Sequence, residues 1–286
     1  MPRSVVSVAL SFVFIVGLFI SSCKKDDNSY YSYNTGIDAA KDYVIGQQMM
    51  VLILNTYFKS ISDSLLLNTG HNNNIDGANV YLKSGANDTL IIRYPWWGTD
   101  DGYDHYRAGE IKVCANEGFL NPGESYYLDF TNFMYDKDTL RVDSLNIIYL
   151  GKVNGQSDLF HIHSDSIFQI FSDSSGVNTF KMQQSFLRFE DPSSDYYTLA
   201  DKFEISGLFA GISREGVDYN TDISEEQALL NQFNCSFLKQ GPVPILFSDT
   251  IYNGTIYFSE ADTCANQYIV EFDGNPFPAP IYTKDW

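Results

Sequence analysis

The chain has 286 residues, of which 44% are hydrophobic and 15% aromatic, enough to bury one large core or two small ones. It carries 36 acidic against 18 basic residues, a formal net charge of −18. A surface of that sign repels phosphate backbones, so we expect no nucleic-acid partner.

The N-terminus has the layout of a secretory signal peptide. Arg3 supplies a positive charge, and an apolar stretch follows from Val5 to Ile20. A bilayer-spanning helix needs roughly 20 apolar residues, and this stretch is shorter. The sequence therefore predicts that residues 1–22 are a signal peptide that is removed; a permanent membrane span is the alternative.

The tetrapeptide Ile20-Ser21-Ser22-Cys23 ends this stretch and resembles the lipobox of bacterial lipoproteins. The resemblance implies that Cys23 is lipidated on sulfur and anchors the mature chain to a membrane. The next four residues, 24–27, are two lysines and two aspartates, similar to the export tag of Bacteroidota surface lipoproteins, although any tether beside lipid headgroups is charged. We expect an outer-membrane lipoprotein exposed at the cell surface, with residues 23–36 as a flexible tether.

A long helix is predicted after this tether. From Ile37 the apolar residues recur at intervals of three and four, the period of an amphipathic helix. Thr35 and Asp38 resemble a capping box with a shorter acid, and Gly70 supplies the stop. Such a helix needs a large apolar surface to lie on; a coiled coil with another chain is the alternative.

After residue 76 the apolar period changes to two. Short segments rich in β-branched and aromatic residues alternate with Asn, Asp, Gly and Ser clusters, namely 79–82, 89–92, 126–130, 140–142, 145–149, 168–171, 203–205 and 268–272. About a dozen antiparallel strands are expected. The predicted fold is mainly β: a large antiparallel sheet or sandwich with the N-terminal helix packed on it. It forms one domain, 37–286, with a candidate sub-boundary near 190–195 and a short helix allowed within 221–233.

Three cysteines follow Cys23, and export would place them in an oxidising compartment. Cys235 and Cys264 lie in one C-terminal segment and are the candidate disulfide pair. Cys114 shares a predicted strand face with Lys112. We expect Cys114 to be unpaired and sheltered.

The segment 94–106 is the strongest candidate for ligand binding. Aromatic rings beside acids suit a sugar, because a flat ring stacks on the apolar face of the sugar and carboxylates accept its hydroxyls. Neighbouring residues of a strand point to opposite faces, so at least one of the two adjacent tryptophans is expected in the core. Core packing with a polar turn is the alternative. The candidate ligand-binding residues are Tyr94, Trp96, Trp97, Asp100, Asp101 and Tyr103.

Two weaker patterns concern metals. In the first, the alternating residues His161, His163 and Asp165 would share one face of a predicted strand and could hold zinc. The alternative is that these three residues are polar side chains that face solvent. Asn72, Asn74 and Asp76 imitate the first half of a calcium loop, but Lys83 stands where that loop needs a bidentate Glu. Calcium held by other surface acids stays open, and no further cofactor is predicted.

A triplet of Asp, then Ser or Thr, then an apolar residue recurs six times. An Asp at such a position can close a turn before a strand. The triplet also resembles the O-glycosylation acceptor of Bacteroidota envelope proteins, which implies sugars on its hydroxyls. The candidate acceptors are Ser64, Thr89, Thr139, Ser144, Ser166 and Thr250.

The sequence contains no G-x-S-x-G, H-E-x-x-H, P-loop or G-x-G-x-x-G motif. Its layout is similar, over most of the mature chain, to Bacteroidota surface lipoproteins, and no function comes with that resemblance. We expect a non-enzymatic lipoprotein that binds an extracellular ligand, either a glycan or a surface protein. The alternatives are a glycan hydrolase, which needs two carboxylates flanking the scissile bond, and a structural subunit, which would show open edge strands.

Overall fold

The computed structural model describes residues 28–84, 88–116, 118–190, 196–248, 253–258, 264, 267–275 and 278–282. The signal peptide predicted over 1–22, the lipid site Cys23, the acceptor Thr250 and positions 191–195 of the candidate sub-boundary lie outside these residues. The chain divides into a unit Met1–Asn34 and a compact unit Thr35–Trp286.

Two helices precede the strands: α1 (Asn28–Ile61) and α2 (Ser64–Thr69). The predicted stop is confirmed, because Gly70 ends α2 in the left-handed conformation at φ 76°. The helix does not run unbroken to that stop, since the Asp63 side chain caps a new helix by accepting from the Leu66 N–H at 2.7 Å. It also starts at Asn28 rather than Ile37, so residues 28–36 of the predicted tether are helical. Neither of these helices combines the length and apolarity needed to cross a bilayer.

Sixteen strands lie in the described part of the chain. They are β1 (His71–Ile75), β2 (Ala78–Lys83), β3 (Asp88–Asp100), β4 (Tyr106–Ala115), β5 (Ser125–Tyr135), β6 (Asp138–Val142), β7 (Leu145–Val153), β8 (Ser157–Ile170), β9 (Val177–Phe189), β10 (Lys202–Ile212), β11 (Asp218–Ile223), β12 (Leu229–Gln232), β13 (Pro242–Phe247), β14 (Gly254–Tyr257), β15 (Gln267–Phe272) and β16 (Ala279–Tyr282). Seven of the eight predicted segments fall within these strands, and the eighth, 168–171, extends one residue past the end of β8. The prediction of a short helix within 221–233 is wrong, because the helical part of this segment is a single 3-10 turn, Glu225–Gln227, between β11 and β12.

The strands form one antiparallel sheet, which confirms the predicted mainly β fold and gives a sheet rather than a sandwich. Its order is β1-β2-β3-β4-β5-β6-β8-β9-β10-β11-β13-β14-β15-β16, while β7 pairs with β5 and β8, and β12 pairs with β10. Because neighbouring strands are mostly consecutive in the chain, one rim of the sheet collects the ends of β3, β5, β8 and β10 and the starts of β4, β6, β9 and β11.

Helix α1 is enclosed by the sheet. Every residue from Asp42 to Ile61 is buried, more than five turns without a solvent-facing side. Phe58 packs against rings of β8, β9 and β10, with centroids 4.7, 6.2 and 4.5 Å away: Phe160, Phe186 and Phe203. Gln48 accepts a hydrogen bond from Tyr268 of β15 at 3.2 Å. The sheet therefore curves around the helix, and the core lies between them.

Several buried polar residues of α1 have hydrogen-bond partners on the sheet or on the turn after β10. Gln47 and Gln184 of β9 exchange two hydrogen bonds, at 3.1 and 2.7 Å. The Asp42 carboxylate accepts from the Arg214 guanidinium, with Nε at 2.8 Å, and the Asp42 carbonyl accepts from Asn178 at 3.0 Å. A buried polar group without a partner costs about 1–3 kcal/mol, so these pairs allow a polar helix inside the sheet.

The cysteine predictions have two outcomes. The disulfide Cys235–Cys264 is confirmed, with Cα atoms 5.6 Å apart. Cys114 is unpaired, as expected, but it is exposed rather than sheltered. It lies on β4 with its neighbours Ile111 and Val113 buried and Lys112 exposed, so the face that it shares with Lys112 is the outer one.

Candidate functional site

An insertion in β3 shapes the candidate site. Tyr94 pairs with Gly109, and the next registered pair is Thr99 with Arg107. Residues 95–98 of β3 therefore stand opposite a single residue of β4. An insertion of this kind breaks the alternation of side chains and bends the strand locally.

Both tryptophans of the insertion project into solvent. Trp96 is 83% exposed and Trp97 is 71% exposed. Their ring centroids lie 5.6 Å apart with the planes at 83°, so the two rings form an open corner, which we call the tryptophan platform. Gly98 follows at φ 87°, a conformation that glycine adopts without steric cost. The expectation that one tryptophan lies in the core is wrong, because the insertion overrides strict alternation.

A third exposed aromatic residue lies beside the platform. Tyr106, at the start of β4, is 58% exposed. A Cβ atom added at Gly98 would lie 3.9 Å from Cδ1 of the Tyr106 ring, so this ring borders the insertion. Sequence reasoning did not select Tyr106. The available signal was its place directly after the acidic turn, where β4 begins.

Two of the predicted ligand-binding residues are structural. Tyr94 is buried, and its hydroxyl accepts from Arg107 Nη1 at 3.2 Å and donates to Thr56 Oγ1 at 3.4 Å. Asp101 is also buried, and Oδ2 lies 2.5 Å from Arg107 Nη2. Asp100 remains at the surface, where Oδ1 accepts from the Gly102 N–H at 2.6 Å. The six predicted residues therefore divide between a solvent-facing platform and the core behind it.

Buried charges fix the β3–β4 loop to helix α1. Arg107, fully buried, donates from Nη1 to Thr56 Oγ1 of α1 at 2.8 Å while it pairs with Asp101. Lys59 Nζ lies 2.6 Å from Asp76 Oδ1 and 2.7 Å from the Tyr103 hydroxyl. A platform attached to such a network is held rigidly.

Burial dominates the ionisation of this network. It lowers the pKa of Lys59 despite the attraction of Asp76, and together with the Asp76 carboxylate it raises the pKa of Tyr103. The Tyr103 hydroxyl stays protonated and donates to the carbonyl of Phe233. Tyr103 therefore anchors the loop through its hydroxyl end.

A groove of about 550 Å³ runs from Tyr106 along the sheet rim. Its wall comes from the β5–β6 turn (136–138), the β8–β9 turn (171–173) and Arg214, and its floor includes Lys41 of α1. The Arg214 guanidinium lies 3.4 Å above the centroid of the Phe171 ring. The groove thus combines aromatic and charged groups.

The charges that line the groove nearly balance. Three are cationic and four are carboxylates: Lys41, Lys137, Arg214, Asp104, Asp136, Asp138 and Asp173. Asp136 accepts from the Tyr106 N–H at 2.7 Å and lies 2.5 Å from His105 Nδ1. The Arg214 guanidinium is already paired with Asp42 of α1, so the lining offers a ligand donors and acceptors without an excess of positive charge.

A second cleft, of about 510 Å³, opens on the other side of Tyr103. Its described lining contains three carboxylates, and each is engaged: Asp76 by Lys59, Asp100 by a backbone N–H and Asp101 by Arg107. Burial raises the pKa of Tyr197, at its edge, to about 12. The cleft does not present the pair of facing, uncommitted acids that glycoside hydrolysis requires.

The predicted metal sites do not assemble. His163 Nε2 lies 3.1 Å from Asp165 Oδ1, and His161 is their neighbour on β8. Within the described ranges, no group of three or more His, Cys, Asp or Glu residues could hold a metal ion. In the calcium-like stretch, Asn74 Oδ1 accepts from the Gly77 N–H at 3.0 Å while Asp76 pairs with Lys59, so this segment is a closed turn.

The glycosylation triplets occupy mixed positions. Asp138 begins β6, as the turn interpretation predicts, whereas Asp63 caps a helix instead of a strand. Among the described acceptors Thr139 is exposed, and four are half-buried: Ser64, Thr89, Ser144 and Ser166. Glycosylation at these hydroxyls stays a prediction.

The platform, Tyr106 and the groove form one continuous surface at the rim of the sheet. It offers flat aromatic faces, fixed carboxylates and cationic donors, which can stack on a ligand and hydrogen-bond to it. A comparison of the chain with protein-family models, with curated proteins and with solved structures finds no match.

Proposed function

We propose that this chain binds an extracellular glycan without transforming it, as a lipoprotein anchored through Cys23 at the outer face of the outer membrane. The observation that carries the proposal is the tryptophan platform. Single exposed aromatic side chains are common on protein surfaces, but a contiguous cluster of them marks an interaction site.

The geometry of the platform suits a sugar ring. One indole face can stack on the apolar face of a pyranose, while the other ring, at 83° to it, bounds the edge of the sugar. Asp100 lies three residues after Trp97 on the same strand and supplies a carboxylate for hydroxyl groups. The anchoring of Asp101 and Tyr103 beneath the loop keeps this arrangement preformed, which reduces the entropic cost of binding.

Two further observations support the proposal. The disulfide Cys235–Cys264 agrees with export to an oxidising compartment, as the lipobox at Cys23 implies. Two of the three carboxylates in the cleft beside Tyr103, Asp76 and Asp101, are already paired with cations, which favours binding over hydrolysis.

A role as an assembly subunit is less well supported. The sheet order ends at two edge strands, β1 and β16. At the β1 edge the register with β2 shifts between Asn72 and Ile75. An irregular, polar edge of this kind disfavours pairing with a further strand.

The proposal predicts that the Trp96→Ala, Trp97→Ala double variant loses polysaccharide binding. Removing both stacking faces should weaken binding by at least about tenfold, the equivalent of 1.4 kcal/mol. Retention on a panel of immobilised polysaccharides measures this for the detergent-solubilised mature chain.

Tyr127→Ala is the matched control, because Tyr127 is also exposed but lies away from the platform. On β5 it is seven residues from Met134, which pairs with Ala108, the β4 residue opposite the insertion. Binding should persist in this variant, and circular dichroism should show both variants folded. Equal binding by the double variant and the wild type would refute the platform as the site.

A further inference from the structure

The groove beside the platform extends the candidate site far beyond one sugar. Its lining residues come from the rim ends of β4, β5, β6, β8 and β10. With β9, which lies between β8 and β10, these strands are six neighbours in the sheet, so β4 and β10 are separated by five inter-strand spacings. Strands in a sheet lie about 4.8 Å apart, so the groove follows the rim for about 24 Å. A pyranose unit within a polysaccharide is about as long as one strand spacing.

The groove and the platform share a boundary. Tyr106 borders the insertion at Gly98 and also lines the groove. A chain stacked on Trp96 or Trp97 can therefore continue past Tyr106 without leaving the protein surface. Phe171 and Phe237 provide further apolar lining along that path.

The charges argue for an uncharged ligand. The groove is lined by three cationic side chains and four carboxylates, and one of the cations, Arg214, is already paired with Asp42, so the groove has no excess of positive charge that would hold an acidic polymer. The whole chain carries −18, which repels acidic polymers at long range. Fixed donors and acceptors in near balance match the hydroxyl groups of a neutral polysaccharide, each of which can both donate and accept.

We propose that the platform and the groove together bind an extended, uncharged polysaccharide, with about five sugar units along the rim, one to each strand spacing. This inference rests on the proposed glycan-binding function and specifies its ligand class. It assigns the platform to the first units and the groove to the units that follow.

The test is a length series of linear neutral oligosaccharides. Cello-, xylo- and manno-oligosaccharides of two to eight units would be titrated calorimetrically into the mature chain. Affinity should rise at least about tenfold between two and about five units and then level off, because longer chains find no further protein surface. Oligogalacturonates of the same lengths should bind at least about tenfold more weakly.

A blocking variant locates the later units. Ser172 is exposed in the β8–β9 turn and lines the groove, so Ser172→Trp should fill the groove midway and remove the gain beyond two or three units. Gln156→Trp, exposed in the β7–β8 turn at the opposite rim, is the matched control and should behave as wild type. Circular dichroism would verify the fold of both.

The outcomes separate the two proposals. Platform-dependent binding whose affinity does not change with length, or a Ser172→Trp variant with an unaltered length profile, would overturn the extended-chain inference and leave the glycan-binding proposal standing. Equal affinity for oligogalacturonates would overturn the uncharged class. If neither the polysaccharides nor the oligosaccharides bind, both proposals fail.

Discussion

Arg107 connects the core to the candidate site. Its guanidinium is fully inaccessible and reaches the helix through Thr56 and the β3–β4 loop through Asp101. Asp101 in turn accepts from the Tyr103 N–H at 2.8 Å. One side chain therefore joins three parts of the molecule, and its loss would leave a buried carboxylate without its cation.

We expect Arg107→Met to lower the free energy of unfolding by about 3–5 kcal/mol, the usual cost of leaving one member of a buried ion pair alone. Urea denaturation monitored by fluorescence measures the change. The double variant Arg107→Met, Asp101→Asn removes the stranded charge and should recover part of the loss. A single variant as stable as the wild type would show that the pair contributes nothing.

His161 provides a pH-dependent prediction. Burial, and then the neighbouring His163, lower the pKa of His161 below its ordinary value of 6.5. Because the unfolded chain binds a proton at His161 at a higher pH than the folded chain does, protonation favours the unfolded chain. The contribution of His161 to the free energy of unfolding is therefore complete above pH 6.5 and is lost as the pH falls through the folded-state pKa.

In His163→Gln we expect the pKa of His161 to move back toward 6.5, because the like charge is gone, while burial keeps it below that value. NMR titration of the imidazole Cε1–H signal in both proteins gives the two values directly. An unchanged pKa would mean that His163 does not influence its neighbour.

At the scale of elements, the strands were predictable and the environment of α1 was not. Segments such as 145–149 and 268–272 are identifiable as strands because they are rich in β-branched and aromatic residues and are bounded by turn residues. Polar residues of α1 away from its apolar stripe, such as Thr56, predict a solvent-facing side. Thr56 is buried because a residue far away in the chain, Arg107, provides its partner, and no local pattern records such a partner.

The insertion in β3 shows the same limit on a smaller scale. The residue types of the platform were identifiable from the sequence, since aromatic and acidic residues cluster there. Their orientation was not, because it depends on a four-residue insertion set by pairing with β4. Cys114 is a different case: the expectation that it is sheltered was wrong although the signal was local, because Cys114 shares a strand face with the exposed Lys112.

Because α1 is enclosed and α2 is partly exposed, shortening an apolar side chain should lower the free energy of unfolding more in α1 than in α2. Phe58→Ala should lower the free energy of unfolding by about 3–5 kcal/mol, because the cavity would lie among three packed rings. Leu67→Ala in α2, where the side chain is exposed, should change it by less than about 0.5 kcal/mol. Urea denaturation of the two variants makes the comparison, and similar losses would contradict enclosure.

For the whole molecule, the candidate groove illustrates why the site was only partly predictable. Trp96, Trp97 and Asp100 lie within five residues of one another and were recognised together. The groove residues are scattered from Lys41 to Arg214 and meet only because successive strands return to one rim. A site built from the ends of many strands leaves no compact motif in the sequence.

The enclosure of α1 also has a consequence for the order of folding. The helix is complete at residue 61, whereas Tyr268, which bonds to Gln48, follows Gln48 by 220 residues. Contacts between such distant positions make folding slow. Until the late strands arrive, the apolar surface of α1 is open to other chains. The helix that the sheet encloses is therefore synthesised before every strand that buries it. The period of greatest risk of aggregation lies between the synthesis of α1 and that of β15.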